Sequence, residues 1–154
     1  MQSYPEVRHH RVLVVDDDPL VLELVVKQLN SAGYQTLEAR DGFEAMRQLE
    51  ATTPSAMILD INMPRCDGFE VLRTTGQSGL LAKLPTLVLT ARNQPADVQK
   101  AIQLGASDYL GKPFNNEQLL SRVARLLRRL PASTAASRLL AQQAGPQRAP
   151  PTLD

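Results

Sequence analysis

The sequence contains one cysteine, Cys66, no tryptophan, and only 4% aromatic residues. A single cysteine excludes an internal disulfide framework, and the scarcity of aromatic rings argues against surfaces that stack on nucleic-acid bases. The formal net charge of +1 provides no overall field that would attract nucleic acid or an anionic membrane. No apolar run is long enough to cross a bilayer, and the N-terminus has no apolar signal segment. These absences predict a cytoplasmic protein without direct contacts to nucleic acid or membrane.

Two apolar patterns alternate along the chain. Short, nearly continuous apolar runs predict buried strands of a parallel sheet covered on both faces, at residues 11–15, 34–39, 56–60, 84–89 and 107–111. Apolar residues at helical spacing predict helices at residues 19–32, 43–51, 95–104 and 115–130. The third crossover predicts only a short helix over 69–73, because the residues TTGQSG at 74–79 should end it early. The alternation predicts an α/β fold with a doubly wound, five-stranded parallel sheet.

The composition divides the chain into three parts. Residues 1–10 form a polar N-terminal tail, and residues 11–130 contain the predicted domain. Residues 131–154 are rich in proline and alanine, which predicts a flexible or partly helical linker or tail, in which residues 137–143 are the candidate for a short helix, either alone or with a partner. His9 and His10 are interpreted as part of a frayed terminus rather than as metal ligands, because no third ligand lies nearby.

Chemically useful side chains stand at the ends of the predicted strands. Asp16 and Asp17 close the first strand, Asp60 closes the third, Thr90 closes the fourth, and Lys112 follows the fifth. Open α/β sheets bind ligands at the carboxyl ends of their strands. One aspartate at a strand end is more often a helix cap than a catalyst, but five residues of complementary chemistry at one edge predict a functional site.

The charges of this set indicate what it binds. Three carboxylates in one pocket resist full ionisation because they repel one another, and a hard divalent cation such as Mg²⁺ (or Mn²⁺) removes that cost. Lys112 adds one positive charge, which leaves a balanced site that can accept a further anion such as a phosphoryl group. The set offers no thiolate or imidazole, so the remaining nucleophile is a carboxylate, whose attack on phosphorus gives an aspartyl phosphate. Phosphoryl transfer needs mainly positioning and charge neutralisation, which this set supplies.

With these residues in place, the chain resembles the receiver domain of bacterial two-component response regulators over about residues 10–130. The matching segments are VLVVDDDP (12–19), ILDINMPRCDGFEVL (58–72), LTA (89–91) and GASDYLGKPF (105–114). The resemblance implies a flavodoxin-like (βα)5 receiver fold with strand order 2-1-3-4-5. It also implies a phosphoacceptor module that takes a phosphoryl group from a histidine kinase or a histidine phosphotransfer protein. Such a module assists only its own phosphorylation and dephosphorylation and is not an enzyme acting on external substrates.

The resemblance assigns roles to the residues of the predicted site. Asp60 would be phosphorylated. Asp17, Asp60 and the backbone carbonyl of Asn62 would bind Mg²⁺ directly, and Asp16 would act on the metal through water. Lys112 would pair with Asp60 and then stabilise its phosphoryl group.

Further roles concern the switch and the loops around the site. Thr90 would also stabilise the phosphoryl group, and with Tyr109 it would form the switch pair. The Lys112–Pro113 peptide bond is expected to be cis, and Gly68 would release the loop that follows the acceptor. The switched surface would consist of the fourth helix, the fifth strand and the fifth helix.

Four neighbouring residues receive separate interpretations. Asp18 and Asp67 are predicted to cap the helices that follow them. Cys66 is interpreted as an exposed loop residue without a redox role, because no resolving cysteine is available. Arg92, like Asn62, occupies a position that in this family tunes how fast water removes the phosphate.

The output surface carries only part of a known pattern. In the winged-helix transcription subgroup of the family, charged pairs on this surface form a symmetric dimer, and Asp108 and Arg122 fit that pattern. Uncharged residues occupy three of its other positions, Val98, Gln103 and Ser107, which argues against that particular dimer. A cluster formed by Val98, Ala101 and Ile102 either offers an apolar contact for a phosphorylation-dependent homodimer or packs against the domain. A C-terminal effector domain or a partner protein is a further expected target.

Three alternatives remain beside this interpretation. A haloacid-dehalogenase-type phosphohydrolase would carry phosphate on the first strand, at Asp16, and would leave Asp60, Thr90 and the Lys112–Pro113 pair unexplained. A flavodoxin-like cofactor binder would need a Ser/Thr/Gly-rich phosphate loop after the first strand, where three aspartates stand instead. A phosphate-independent receiver is disfavoured because all five site residues are present.

Overall fold

The computed structural model describes residues 10–64, 66–91 and 94–128. Several sequence predictions lie outside these described residues: the N-terminal tail as far as His9, the role of Arg92, and the linker 131–154 with its short helix.

Five parallel strands form one sheet. They are β1 (Arg11–Val15), β2 (Gln35–Ala39), β3 (Ala56–Leu59), β4 (Thr86–Thr90) and β5 (Asp108–Gly111), in the order β2-β1-β3-β4-β5. β3 and β4 are buried at every position, and β1 is buried from its second residue onward, which explains why these strands have nearly continuous apolar sequences. The predicted α/β class, parallel sheet and strand order are therefore confirmed.

Helices cover both faces of the sheet. They are α1 (Pro19–Ser31), α2 (Gly42–Ala51), α3 (Gly68–Gln77), α4 (Pro95–Gln103) and α5 (Asn116–Leu127), with a short 3₁₀ turn at Leu80–Lys83. Alternate residues of each central strand point to opposite faces. Val12 and Val14 pack with α1 and α5, whereas Leu13 and Val15 pack with the residues of α2 and α3. Within the part of the chain that the structure describes, no helix is long and apolar enough to cross a membrane.

Side-chain caps determine where most helices begin. Asp18 accepts a hydrogen bond from the backbone N–H of Leu20 at 2.9 Å, and Asp67 accepts one from Glu70 at 3.0 Å. Both predicted caps are thus confirmed. Asn115 begins α5 through a reciprocal capping box. Each such cap contributes about 1 kcal/mol, because it satisfies a backbone donor that has no partner inside the helix.

The prediction of a short third helix is wrong. α3 continues through TTGQ to Gln77, and only then does the chain turn at Ser78 and Gly79. Thr75 is fully buried, and its hydroxyl donates to the carbonyl oxygen of Val71 at 2.7 Å. The burial of Val71, Leu72 and Thr75 on one face supports the helix where local propensity disfavours it. β1 matches its predicted bounds, the other boundaries lie within two residues of the predicted ones, and α5 ends at Leu127, three residues before its predicted end.

Two glycines of α3 should respond oppositely to alanine. A Cβ at Gly68 would lie 2.4 Å from the backbone oxygen of Asp60, so Gly68→Ala should lower the free energy of unfolding by about 1–3 kcal/mol. A Cβ at Gly76 would meet no atom closer than 3.4 Å, so Gly76→Ala should be neutral or stabilise the protein by up to about 1 kcal/mol. Urea unfolding of both variants checks this, and equal stabilities would contradict the proposed close packing at Gly68.

Candidate functional site

The sheet itself brings two aspartates together. The backbone N–H of Asp16 donates to Ala39 at 3.1 Å, and that of Asp60 donates to Val15 at 2.9 Å. Hydrogen bonding between strands thus continues one residue beyond the ends of β1 and β3. Because β1 and β3 are neighbours, Asp16 and Asp60 lie side by side at the carboxyl edge, where they are 2% and 4% exposed.

Three carboxylates form a cluster at this edge. One oxygen each from Asp16, Asp17 and Asp60 lies within 4.8 Å of the others, and Asp17 is exposed whereas the other two are buried. The donor set consists of oxygen atoms alone, which is the set that Mg²⁺ prefers, and the exposed side leaves room for the waters that this ion retains. These residues therefore fit a hard divalent cation.

Lys112 places a positive charge against the buried carboxylates. Its Nζ lies 2.8 Å from Oδ2 of Asp16 and 3.4 Å from Oδ2 of Asp60. The backbone N–H of Lys112 donates to Thr90 at 2.9 Å, and the peptide bond to Pro113 is cis. Pairing with Asp60 was expected from the resemblance to the receiver family; the structure adds a closer contact to Asp16.

The ionisation of this group follows from burial and charge. Burial raises the pKa of Asp16 and the neighbouring charge of Asp60 adds to this, although hydrogen bonds from Lys112 and from the backbone of Asp18 oppose it. Burial alone would lower the pKa of Lys112, but its hydrogen bond to Asp16 and the charge of Asp60 outweigh that effect and raise it. Lys112 therefore remains a cation at neutral pH.

Asp60 is held by the segment that follows it. Its Oδ1 accepts a hydrogen bond from the backbone N–H of Asn62 at 3.1 Å. Gly68 donates its N–H to Ile61 at 2.9 Å and packs directly on the Asp60 backbone. Only a residue without a Cβ fits at this distance. Close packing therefore requires glycine at position 68, in addition to the role in loop release that the resemblance implies.

Thr90 lies on β4, the strand next to β3, and Tyr109 lies on β5, one strand further from the cluster. Thr90 is the last residue of β4 and is fully buried. Tyr109 is half-buried on β5 and packs against Val98 and Ile102 of α4. Burial, together with the charge of Asp97, raises the pKa of Tyr109, so its hydroxyl stays protonated at neutral pH.

The apolar residues of α4 belong to the core. Val98 is 9% exposed, Ala101 is 0% and Ile102 is 5%, so packing against the domain explains this cluster and an apolar contact surface does not. Asp108 is also buried, and it accepts a hydrogen bond from Nη1 of Arg122 at 2.9 Å. Arg122 thus pairs with Asp108 inside this chain, in agreement with the sequence argument against that particular dimer.

Cys66 is not the exposed loop residue that the sequence suggested. It is partly buried against the first residue of α2, where a Cβ on Gly42 would lie 2.5 Å from its Sγ. Burial raises the pKa of the Cys66 thiol, and the charges of Glu70, Asp67 and Asp41 raise it further. Sequence reasoning missed this contact because it joins the start of α2 to a loop 24 positions further along the chain, and the glycine at position 42 is its trace in the sequence.

The fold and the site together define a doubly wound α/β protein with an acidic cluster and an opposing lysine at the carboxyl edge of the sheet. A sequence model of the response regulator receiver domain matches residues 12–124. The chain belongs to this family, whose members are phosphoacceptor signalling modules of two-component systems.

Individual relatives agree with this assignment. The response regulator MprA of Mycobacterium bovis (strain BCG / Pasteur 1173P2) is 45% identical over 129 residues, which cover 82% of this chain and 54% of MprA. The chain thus spans about half the length of the curated relatives it matches. The chemotaxis protein CheY4 of Vibrio cholerae is 36% identical, with a TM-score of 0.72 over 77% of this chain and 98% of that one. DrrB, a Thermotoga maritima OmpR/PhoB homologue, is 30% identical, with a TM-score of 0.68 over 77% of this chain and 52% of that one.

The environment of Cys66 predicts a weakly reactive thiol. Because its pKa is raised, the thiol stays protonated at pH 7 and should react slowly with a disulfide reagent, with a midpoint of reactivity above the value of about 8.5 for free cysteine. Asp67→Asn keeps a capping side chain but removes a negative charge, and should move that midpoint downward. Stopped-flow assays across pH check both expectations, with urea-unfolded protein as the reference, and a midpoint below that of the unfolded protein would contradict them.

Proposed function

We propose that this chain accepts a phosphoryl group on Asp60 from a histidine kinase or a histidine phosphotransfer protein. The observation that carries the proposal is the position of the Asp60 carboxylate. It is nearly buried, with Lys112 at one oxygen, the Asn62 backbone N–H at the other, and Asp16 and Asp17 beside it.

The geometry favours Asp60 over Asp16 as the nucleophile. Both oxygens of Asp16 accept close hydrogen bonds, 2.9 Å from the Asp18 backbone and 2.8 Å from Lys112. The corresponding contacts of Asp60 are longer, at 3.1 Å and 3.4 Å. Burial also raises the pKa of Asp16. These differences argue against a phosphohydrolase with its nucleophile on the first strand.

The proposed transfer exchanges one bond for another. An Asp60 carboxylate oxygen forms a bond to phosphorus while the bond from phosphorus to the donor imidazole nitrogen breaks and its electron pair stays on that nitrogen. Lys112 neutralises negative charge beside the acceptor, and the Asn62 N–H keeps the carboxylate oriented. Thr90, at the adjacent strand end, donates its hydroxyl to a phosphoryl oxygen.

A divalent cation completes this proposal. Mg²⁺ (or Mn²⁺) would be held by Asp17, Asp60 and the Asn62 carbonyl, with Asp16 acting through water. When bound, it supplies charge neutralisation at the phosphoryl oxygens. The all-oxygen cluster of three aspartates supports this assignment.

The proposed module acts on its own phosphate and passes the signal to one surface of the domain. The module turns over no external substrate and assists only its own phosphorylation and dephosphorylation, at rates tuned by Asn62 and Arg92. Thr90 and Tyr109 relay the phosphorylation to the surface of α4, β5 and α5.

The receiver spans residues 11–130 of a cytoplasmic protein and acts on a C-terminal effector domain, a partner protein or a second copy. The greater length of the MprA relatives supports an effector.

Trapping the acyl phosphate tests the acceptor. After incubation with acetyl phosphate and Mg²⁺, borohydride reduction and peptide mass spectrometry should place the label on Asp60, and Asp60→Asn should abolish it. Asp41→Asn, which changes an aspartate that caps α2, should label like the wild type. A label on Asp16 would overturn the assignment in favour of a phosphohydrolase, and no label at all would favour a phosphate-independent module.

Two adjacent aspartates provide a matched test of the metal site. Asp17→Asn removes a proposed ligand and should weaken Mg²⁺ binding about tenfold or more. Asp18→Asn changes the next residue in the same way but keeps a good helix cap, and its affinity should stay close to that of the wild type. Calorimetric or NMR titration with Mg²⁺ measures both, and equal losses in the two variants would show that only the summed negative charge matters.

A further inference from the structure

A lysine on α4 lies over an aromatic ring on α3. Nζ of Lys100 is 4.3 Å from the centroid of the Phe69 ring, within the range of a cation–π attraction. Phe69 is only 3% exposed, so its ring is fixed in the core, whereas Lys100 is exposed. This contact joins two helices that both begin at the carboxyl edge of the sheet.

Phe69 is linked directly to the proposed phosphoacceptor. It follows Gly68, whose N–H donates to Ile61 at 2.9 Å and whose Cα leaves no room for a Cβ against Asp60. A hydrogen bond and a close backbone contact therefore join the first turn of α3 to residues 60 and 61, which gives a displacement of that backbone a short route to the Phe69 ring.

A second aromatic ring, that of Tyr109, also contacts α4. Val98 and Ile102 pack against Tyr109 on β5. α4 therefore contacts two aromatic side chains, Tyr109 through Val98 and Ile102 and Phe69 through Lys100. Only Phe69 is attached to the segment that begins at Asp60.

We infer that Lys100 is a positioning residue that couples α4 to the acceptor segment through Phe69 and Gly68, in parallel with Tyr109. This inference rests on the proposed function. A weak, exposed contact of this kind changes an equilibrium by only about two- to fivefold. Such a contact adds little to folding but is large enough to bias two arrangements of a helix that differ slightly in free energy.

Replacing the charge while keeping the length of the side chain tests the coupling. With Mg²⁺ and saturating beryllofluoride, the amide shift changes across α4 should fall in Lys100→Met, by at most about two- to fivefold, whereas those at Thr90 and Tyr109 should stay close to the wild-type values. Lys83→Met is the matched control, because Lys83 is an exposed lysine in the 3₁₀ turn and outside α4. Identical α4 responses in the two variants would overturn the inference.

Two further variants separate coupling from simple helix packing. Lys100→Arg retains a cation that can lie over the ring, and should restore the wild-type α4 response. Phe69→Leu should reduce the response, and adding Lys100→Met to it should reduce it no further, since both changes remove the same contact. Additive losses, or no rescue by arginine, would contradict a role through the Phe69 ring.

The proposed function and this inference fail in different ways. If wild-type protein shows no shift changes with beryllofluoride and Mg²⁺, the phosphoacceptor proposal fails and the coupling fails with it. If the wild type responds and Lys100→Met responds equally on α4, only the coupling is wrong. Urea unfolding should show near-equal stabilities for Lys100→Met and Lys83→Met.

Discussion

The site depends on holding two buried carboxylates next to each other. Asp16 and Asp60 repel one another in a region with little water, and an unpaired charge in such a place is strongly destabilising. Lys112 offsets this because its one ammonium reaches an oxygen of each. The strand order makes this geometry available, since β1 and β3 are neighbours and the residue after β5 reaches back toward them. The strand order 2-1-3-4-5 is therefore required for Asp16, Asp60 and Lys112 to meet at one edge of the sheet.

Much of this arrangement was predictable from the sequence, for identifiable reasons. The buried central strands show as continuous apolar runs, and the aspartates stand where those runs end, so local pattern located Asp16, Asp60 and Thr90 at strand ends. Periodicity does not say which strands are neighbours, and the strand order came from resemblance to a family. The predictions that failed depended on contacts between distant segments. Burial of Thr75 extends α3 beyond its local propensity, and Gly42 covers a cysteine that is 24 positions further along the chain.

The output surface shows how similar residues can have different partners. Asp108 and Arg122 match charges that form a dimer in a subgroup of the family, yet here Arg122 donates to Asp108 within one chain. Oδ1 of Asp108 also accepts from the Tyr109 backbone at 2.8 Å, and its Oδ2 is buried and accepts no hydrogen bond from the described residues. To use this aspartate between subunits, the chain would have to expose it and release Arg122. Losing one partner of a buried pair is expensive in free energy, so a dimer of that kind would require a rearrangement of β5 and α5.

The different surroundings of Asp16 and Asp60 support different proposed roles for two aspartates of similar burial. Asp16 is fixed by short contacts at both oxygens, and burial and the Asp60 charge favour its protonated form. Asp60 has longer contacts and is the one attached, through Ile61 and Gly68, to the start of a helix. A group added to Asp16 would displace Lys112 from its closest partner and disturb the charge balance of the pocket. A group added to Asp60 leaves that close pair intact and acts on a backbone segment that is rigidly joined to α3. The environment that supports Asp60 as the proposed nucleophile therefore also makes it the residue whose modification the rest of the domain can detect.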